Sequence, residues 1–298
     1  MSSVTSWPAS CVTEREPLAN HTSFRIGGPA EWYAEPSTID ELIELLRGAD
    51  AAGMPVSIIG GGTNLLVSDR GIRGLVVRLG RGFRHAEVIS PPEDEEVLVR
   101  CGAAVSTQHL VRLASRHGWG RVESLAGLPG QVGGAVMMNA QNIGVFVERI
   151  TLVSPMGSVS DVRKDRLLFA YRYAAVEPGI VVEVLLRFPK ASVEDSASRI
   201  HQALCYRNAT QDLGLPSAGC AFKNPSGDSA GRLLDRAGLK GHRVGDAQIS
   251  PRHANFIVNL GQATFDDVLG LMEHAQRRVL REFGIRLEPE IRMLGERV

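Results

Sequence analysis

A chain of 298 residues with 44% apolar and 22% charged side chains has the make-up of a globular protein. Those proportions exclude wholesale disorder, collagen-like repeats and coiled-coil arrays, and the length suits one large unit or two to three modest ones. Thirty-three Lys plus Arg balance 33 Asp plus Glu, so no overall field holds a polyanion and no nucleic-acid partner is expected.

In chain order, STIDELIELLRGADAA at 37–52 predicts a helix with Ile39, Leu42, Ile43, Leu45 and Leu46 on one stripe behind Ser37 or Thr38 as cap. PVSII reads as a short buried strand running into Gly60, Gly61 and Gly62, followed by a second apolar stretch and the β-rich GIRGLVVRL. SPPEDEE at 90–96 reads as an exposed acidic turn between strands AEVI and VLVRCG. A helix is expected from Ser106 to His117, with Leu110, Val111, Leu113 and Ala114 inward and Gly118 ending it. ERITLVSPMGSVSDV reads as a hairpin turning near Met156 and Gly157, and GIVVEVLLRF as a buried strand.

FPKAS at 188–192 is the best candidate for a domain boundary. Helices are expected beyond it from about Glu194 to Tyr206, at 229–237 and at 265–283, the last with Val268, Leu271, Met272, Ala275, Val279, Leu280 and Phe283 at three- and four-residue steps. Short strands HANFIVNL and LEPEIRML complete an α+β segment.

The cysteines at 11, 101, 205 and 220 show neither CxxC spacing nor the density of a disulfide scaffold, which suits a reducing, cytoplasmic compartment. No run reaches the roughly 18 to 20 apolar residues that span a bilayer, and MSSVTSWPASCVTERE lacks the features of a secretory signal, so no membrane partner is expected. With no HExxH, paired CxxC or EF-hand loop, no metal is expected.

Glycine is the more informative residue. In Gly60-Gly61-Gly62-Thr63-Asn64, glycines after a strand let successive N–H groups face one centre as an anion nest, or else form a tight turn. It is neither a Walker loop, since no Lys-Ser/Thr follows, nor a GxGxxG opening a helix. Gly127, Gly130, Gly133 and Gly134 make a second such place, and two in one half favour a dinucleotide over unrelated turns. GDSAG at 227–231 matches a hydrolase elbow, with Asp246 and His253 downstream, but Pro225 interrupts the strand an elbow needs, and Asp228 or Ser229 is better explained as a helix cap. Arg172, between Tyr171 and Tyr173, is either structural or a clamp for a carboxylate or phosphate.

The blocks NHTSFRIGGPA, IIGGGTNLLV, GLPGQVGGAVMMNA, FAYRYA, PSAGCAFKNP, AGLKG with SPRHANFIVN, and LEPEI, in that order, resemble the UDP-N-acetylenolpyruvoylglucosamine reductases from Asn20 onward. The short stretch between Tyr173 and Pro216 resembles the branch without an extra tyrosine-bearing loop. The resemblance implies an α+β fold with an FAD-binding domain of the vanillyl-alcohol-oxidase type and a C-terminal substrate domain. On this chain that gives FAD-binding subdomains at 1–80 and 81–190 and a substrate domain at 191–298. It implies FAD as cofactor, NADPH as co-substrate, and UDP-N-acetylglucosamine enolpyruvate as the substrate reduced to UDP-N-acetylmuramate for peptidoglycan.

By the same resemblance the FAD diphosphate lies on Gly60 to Asn64 with Leu65, and the segment carrying Gly127, Gly130, Gly133, Gly134 and Asn139 wraps the rest. Arg172 matches the arginine at the enolpyruvyl carboxylate, and Glu290 the catalytic glutamate. Cys220 stands where many members carry a serine that donates a proton to the substrate carbon; a thiol of ordinary pKa, about 8.5, is largely protonated at neutral pH. Tyr171, Lys223, Asn224 and His253 match substrate-facing positions. Ala174, where serine is commoner, and Gln141-Asn142, in place of a small-residue pair, also depart from the family pattern. Two alternatives stay open: another flavin oxidoreductase on the same scaffold, against which the C-terminal blocks argue, and a non-catalytic flavin or nucleotide-sugar binding protein, which the Cys220 replacement motivates.

Overall fold

The structure, a computed structural model, describes residues 7, 11–211 and 214–296, and most of the N-terminal segment read for a signal lies outside them. The chain forms two compact units. The first takes the stretch ending at Thr13 together with Trp32–Gly61 and Gly74–Arg207, and the second takes Glu14–Glu31, Gly62–Arg73 and the stretch from Asn208. Helix and strand are mixed throughout, as an α+β fold requires. No helix among the described residues is long and apolar enough to cross a membrane.

In the first unit, α1 (Ile39–Ala51) starts at Thr38, whose side chain accepts from the Glu41 N–H while the Glu41 carboxylate accepts from the Thr38 N–H. That reciprocal box satisfies two N–H groups a helix start leaves open, and Leu42, Leu45 and Leu46 turn inward behind it. Strand Val56–Ile58 is not buried as expected: Val56 and Ile58 are 36% and 41% exposed, because among the described residues it sits at a sheet edge, paired in parallel with Ile72–Val77 on one side.

A five-stranded antiparallel sheet runs in the order Ala86–Val88, Glu96–Gly102, Ile180–Pro189, Val147–Val153, Val159–Arg163. Its central strand reads IVVEVLLRFP and buries Ile180, Val181 and Val182 in a run, then alternate residues to Phe188. Phe188 lies 5.6 Å from the ring of Trp119 and 4.8 Å from that of Phe146, an aromatic centre for this core. Helix α2 (Thr107–His117) is capped by Ser106 and ended by Gly118 in the left-handed conformation, as its sequence predicts. Helices α3 (Val132–Met137) and α4 (Val193–Thr210) complete this part of the chain.

In the second unit, four antiparallel strands run in the order Ser217–Cys220, Phe256–Asn259, Ala247–Ile249, Arg243–Val244, and Leu65–Val67 pairs in parallel with Arg292–Leu294. Helix α5 (Ala230–Arg236) is capped by Ser229, whose hydroxyl accepts from the Arg232 N–H, so GDSAG is a helix start. Helix α6 (Phe265–Phe283) buries Val268, Leu271, Met272, Ala275 and Val279. Leu280, expected inward, is 49% exposed, because it follows Val279 by one residue and so points about 100° away from it around the helix.

Candidate active site

The two glycine segments meet in the first unit. A Cβ on Gly61 would lie 2.8 Å from the Gly130 Cα, so both positions are glycine because two backbones touch. Gly133 makes room for the Ala103 Cβ at 2.8 Å, and Gly127, at φ +73°, for the Arg207 Cδ at 2.7 Å. Gly60 and Gly134 differ. A Cβ on Gly60 would meet only the Gln131 Oε1 at 3.4 Å, and one on Gly134 would meet nothing within 4 Å. Glycine within a helix costs about 0.5–1 kcal/mol against alanine, so a bare, exposed Gly134 in α3 suits a ligand that needs that space.

Arg172 and Tyr171 form the two-residue turn of a hairpin whose strands, Leu168–Ala170 and Tyr173–Ala175, are closed by the pair Ala170 and Tyr173. Arg172 holds φ +56°, a left-handed conformation that glycine or asparagine would adopt with less strain. Its guanidinium carbon stands 5.4 Å from the Tyr171 ring centroid, its Nε is buried, and Tyr171 itself is 55% exposed. Asn139 is buried, and its side chain is engaged by the protein: Nδ2 donates to the Ala170 carbonyl at 2.9 Å and Oδ1 accepts from the Gly144 N–H at 3.0 Å.

In the second unit, Gly62 (φ +66°) has no room for a Cβ because the His21 carbonyl occupies that position, and its own carbonyl accepts from the Ser23 N–H at 3.1 Å. Thr63 and Asn64 lead into the strand that starts at Leu65. The Asn64 carbonyl accepts from the Arg292 N–H at 3.0 Å, and its Nδ2 donates to the Glu290 carbonyl at 3.1 Å.

Cys220, half-buried and in no disulfide, ends the strand Ser217–Cys220 opposite Phe256. The next residues are held on both sides. Asn255 Nδ2 donates to the Phe222 carbonyl (2.8 Å) while its Oδ1 accepts from the Phe222 N–H (3.0 Å), and the Ala221 N–H donates to the Asn255 carbonyl (2.7 Å). Opposite, the Glu290 N–H donates to the Ala221 carbonyl (2.8 Å) and the Lys223 N–H to the Glu288 carbonyl (2.9 Å). CAFKNP and LEPE are therefore laced together around an isolated antiparallel bridge between Phe222 and Pro289, which holds Glu290 against Ala221, the residue after Cys220.

Lys223 Nζ pairs with Glu288 at 3.2 Å in the open, where such a pair contributes little. Asn224 Oδ1 accepts from the Ala230 N–H at 3.0 Å, supporting the start of α5. His253 Nδ1 accepts from the Asn255 N–H at 3.3 Å and its ring stands edge-on to Phe256. Burial pushes its pKa below the usual imidazole value and the Lys240 charge adds to this, against a hydrogen bond to its own backbone.

Two residues with structural weight at the site were not singled out from sequence, Asn255 and Gln131. Asn255 was signalled by its setting: an amide at the start of the apolar run NFIV is buried only when both its ends are bonded. Gln131 carried no signal beyond its place in the glycine segment.

Residues 30–163 match the family model for an FAD binding domain, which defines the class: a flavin-binding oxidoreductase fold. Residues 210–294 match the model for the C-terminal domain of UDP-N-acetylenolpyruvoylglucosamine reductase. The chain is 43% identical to UDP-N-acetylenolpyruvoylglucosamine reductase 2 of Symbiobacterium thermophilum, over 95% of this chain and 92% of that one. It is 40% identical to the reductase of Agathobacter rectalis, over 94% and 93%. The crystal structure of the Thermus caldophilus reductase, 37% identical, superposes with a TM-score of 0.79 over 95% of this chain and 98% of its own. The chain belongs to the UDP-N-acetylenolpyruvoylglucosamine reductase family. Its bare backbone faces at Gly60 and Gly134 fit the close approach that a dinucleotide such as FAD requires.

Proposed function

We propose that this chain reduces UDP-N-acetylglucosamine enolpyruvate to UDP-N-acetylmuramate, with NADPH as reductant and FAD as cofactor. The observation that carries this reading is the lacing of Glu290 to Ala221, the residue after Cys220, in a chain of this family. Gly60 to Leu65 and the segment with Gly127, Gly130, Gly133 and Gly134 would hold FAD. When bound, FAD supplies hydride transfer from NADPH to the terminal vinyl carbon of the substrate.

The residues supply the charge and the proton. Arg172 holds the enolpyruvyl carboxylate, where a fixed cation is worth most as the neighbouring carbon gains electron density. Glu290 assists that stabilisation. The Cys220 Sγ–H bond breaks as its proton moves to the ether carbon, and the thiolate left behind is reprotonated from water. Tyr171, Lys223, Asn224 and His253 contact the nucleotide sugar. The product feeds peptidoglycan, so the activity bears on wall growth, cell shape and division. Four cysteines outside any disulfide and two soluble nucleotide substrates suit the cytoplasm.

The test is anaerobic. Purified protein should be yellow, bleach with NADPH and regain its colour on adding the enolpyruvyl UDP-sugar. Recovery only with unrelated acceptors, or a flavin that NADPH never bleaches, would sink the proposal. The second outcome would favour a binding protein, the reading that cysteine at position 220 keeps in play.

A further inference from the structure

We propose that Asn139 is a positioning residue for Arg172: its side-chain amide pins the turn that presents the guanidinium. The inference rests on the reductase reading of Arg172. Two strands of three residues each make a hairpin too small to hold itself in water. Leu168, Tyr171 and Tyr173 are 66%, 55% and 54% exposed, so its apolar burial is confined to Phe169 and Ala174, away from the turn.

Two contacts hold the turn. The Ala170 carbonyl, just before the turn, accepts from Asn139 Nδ2 at 2.9 Å. The Phe169 ring fills the place where a Cβ on Gly144 would stand, and the Gly144 N–H donates to Asn139 Oδ1 at 3.0 Å. One buried amide thus ties, through its opposite ends, the carbonyl beside the turn and the loop on which the hairpin's aromatic ring rests. Asn139 itself holds φ +42°, a conformation asparagine tolerates better than most residues. Arg172 inherits its place from this clamp, and an arginine that must meet a carboxylate loses rate steeply with small displacements.

Asn139→Asp keeps an oxygen for the Gly144 N–H but removes the donor to Ala170. Gly144→Ala leaves Asn139 intact and displaces Phe169, disturbing the hairpin from its other support. Both holoenzymes are compared with wild type by flavin content, anaerobic bleaching by NADPH, colour recovery with the enolpyruvyl UDP-sugar, and amide exchange across 168–175. In Gly144→Ala, flavin content and bleaching should stay at the wild-type level; in both variants, recovery per bound flavin should slow about 10²-fold and exchange should quicken across the hairpin alone. Wild-type recovery per bound flavin in Asn139→Asp, or unchanged exchange across 168–175, overturns the inference. Failure of wild type itself to recover overturns the reductase reading instead; exchange across 168–175 in Asn139→Asp then decides the clamp, faster exchange supporting it and unchanged exchange refuting it.

Discussion

Arg172 carries a conflict between backbone and side chain. Its φ of +56° disfavours any residue with a Cβ by about 1 kcal/mol or more, yet the position holds an arginine rather than a glycine. Strain of this kind persists where the side chain is needed. Arg172→Gly should therefore be more stable than Arg172→Ala by about 1 kcal/mol in urea denaturation, while neither variant restores colour to the bleached flavin. Cys220 is judged differently, by chemistry. Cys220→Ala should cut turnover by about 10² to 10⁴ and leave bleaching by NADPH intact, whereas Cys220→Ser should retain activity as a proton donor of the same reach. Full turnover in Cys220→Ala would remove the thiol from the mechanism.

Among elements, the segment from Asn139 to Asn142 is the unusual one. Gln141 and Asn142 hold φ +51° and +61° after Asn139 at +42°, three side chains in a left-handed conformation that glycine adopts freely. Gln141→Gly should raise stability by about 0.5–1 kcal/mol, read as a higher denaturation midpoint; an unchanged or lower midpoint would mean that the side chain makes compensating contacts. This strain had no signal in the sequence, because backbone handedness at a non-glycine residue follows from tertiary support. Helices were legible for the opposite reason. Thr38 with Glu41, Ser106 with Gly118, and Thr264 with Gly284 are cap chemistry written within a few residues of each helix end. Burial was less legible: apolar type at Val56, Ile58 and Leu280 suggested the interior, but edge position and helix rotation expose them.

Across the whole molecule, protonation links to stability through two histidines. Burial holds His253 below the ordinary imidazole pKa, and burial followed by His242, Arg277, Arg278 and Arg281 does the same to His274. The folded state favours the neutral ring, so the stabilisation is complete above the unfolded value of about 6.5 and is lost as pH falls through it toward the folded value. Protonation would also remove Nδ1 of His253 as acceptor for the Asn255 N–H. The denaturation midpoint should fall between about pH 7.5 and pH 5.5, and by less in His253→Gln; equal falls in both would exclude His253 as a source.

Chain order likewise did not reveal that Glu14–Glu31 and Gly62–Arg73 pack with the stretch from Asn208, since no local pattern encodes a contact across such distances. Ser23 Oγ donates to the Ser217 carbonyl at 2.6 Å, Asn259 Nδ2 to the Phe24 carbonyl at 3.0 Å, and the Phe265 N–H to Asp69 at 2.8 Å. Asn64 and Glu290, bonded to each other, lie 226 residues apart. During translation the strand Leu65–Val67 therefore leaves the ribosome long before its partner exists, and must stay unpaired or shielded until synthesis reaches Arg292–Leu294.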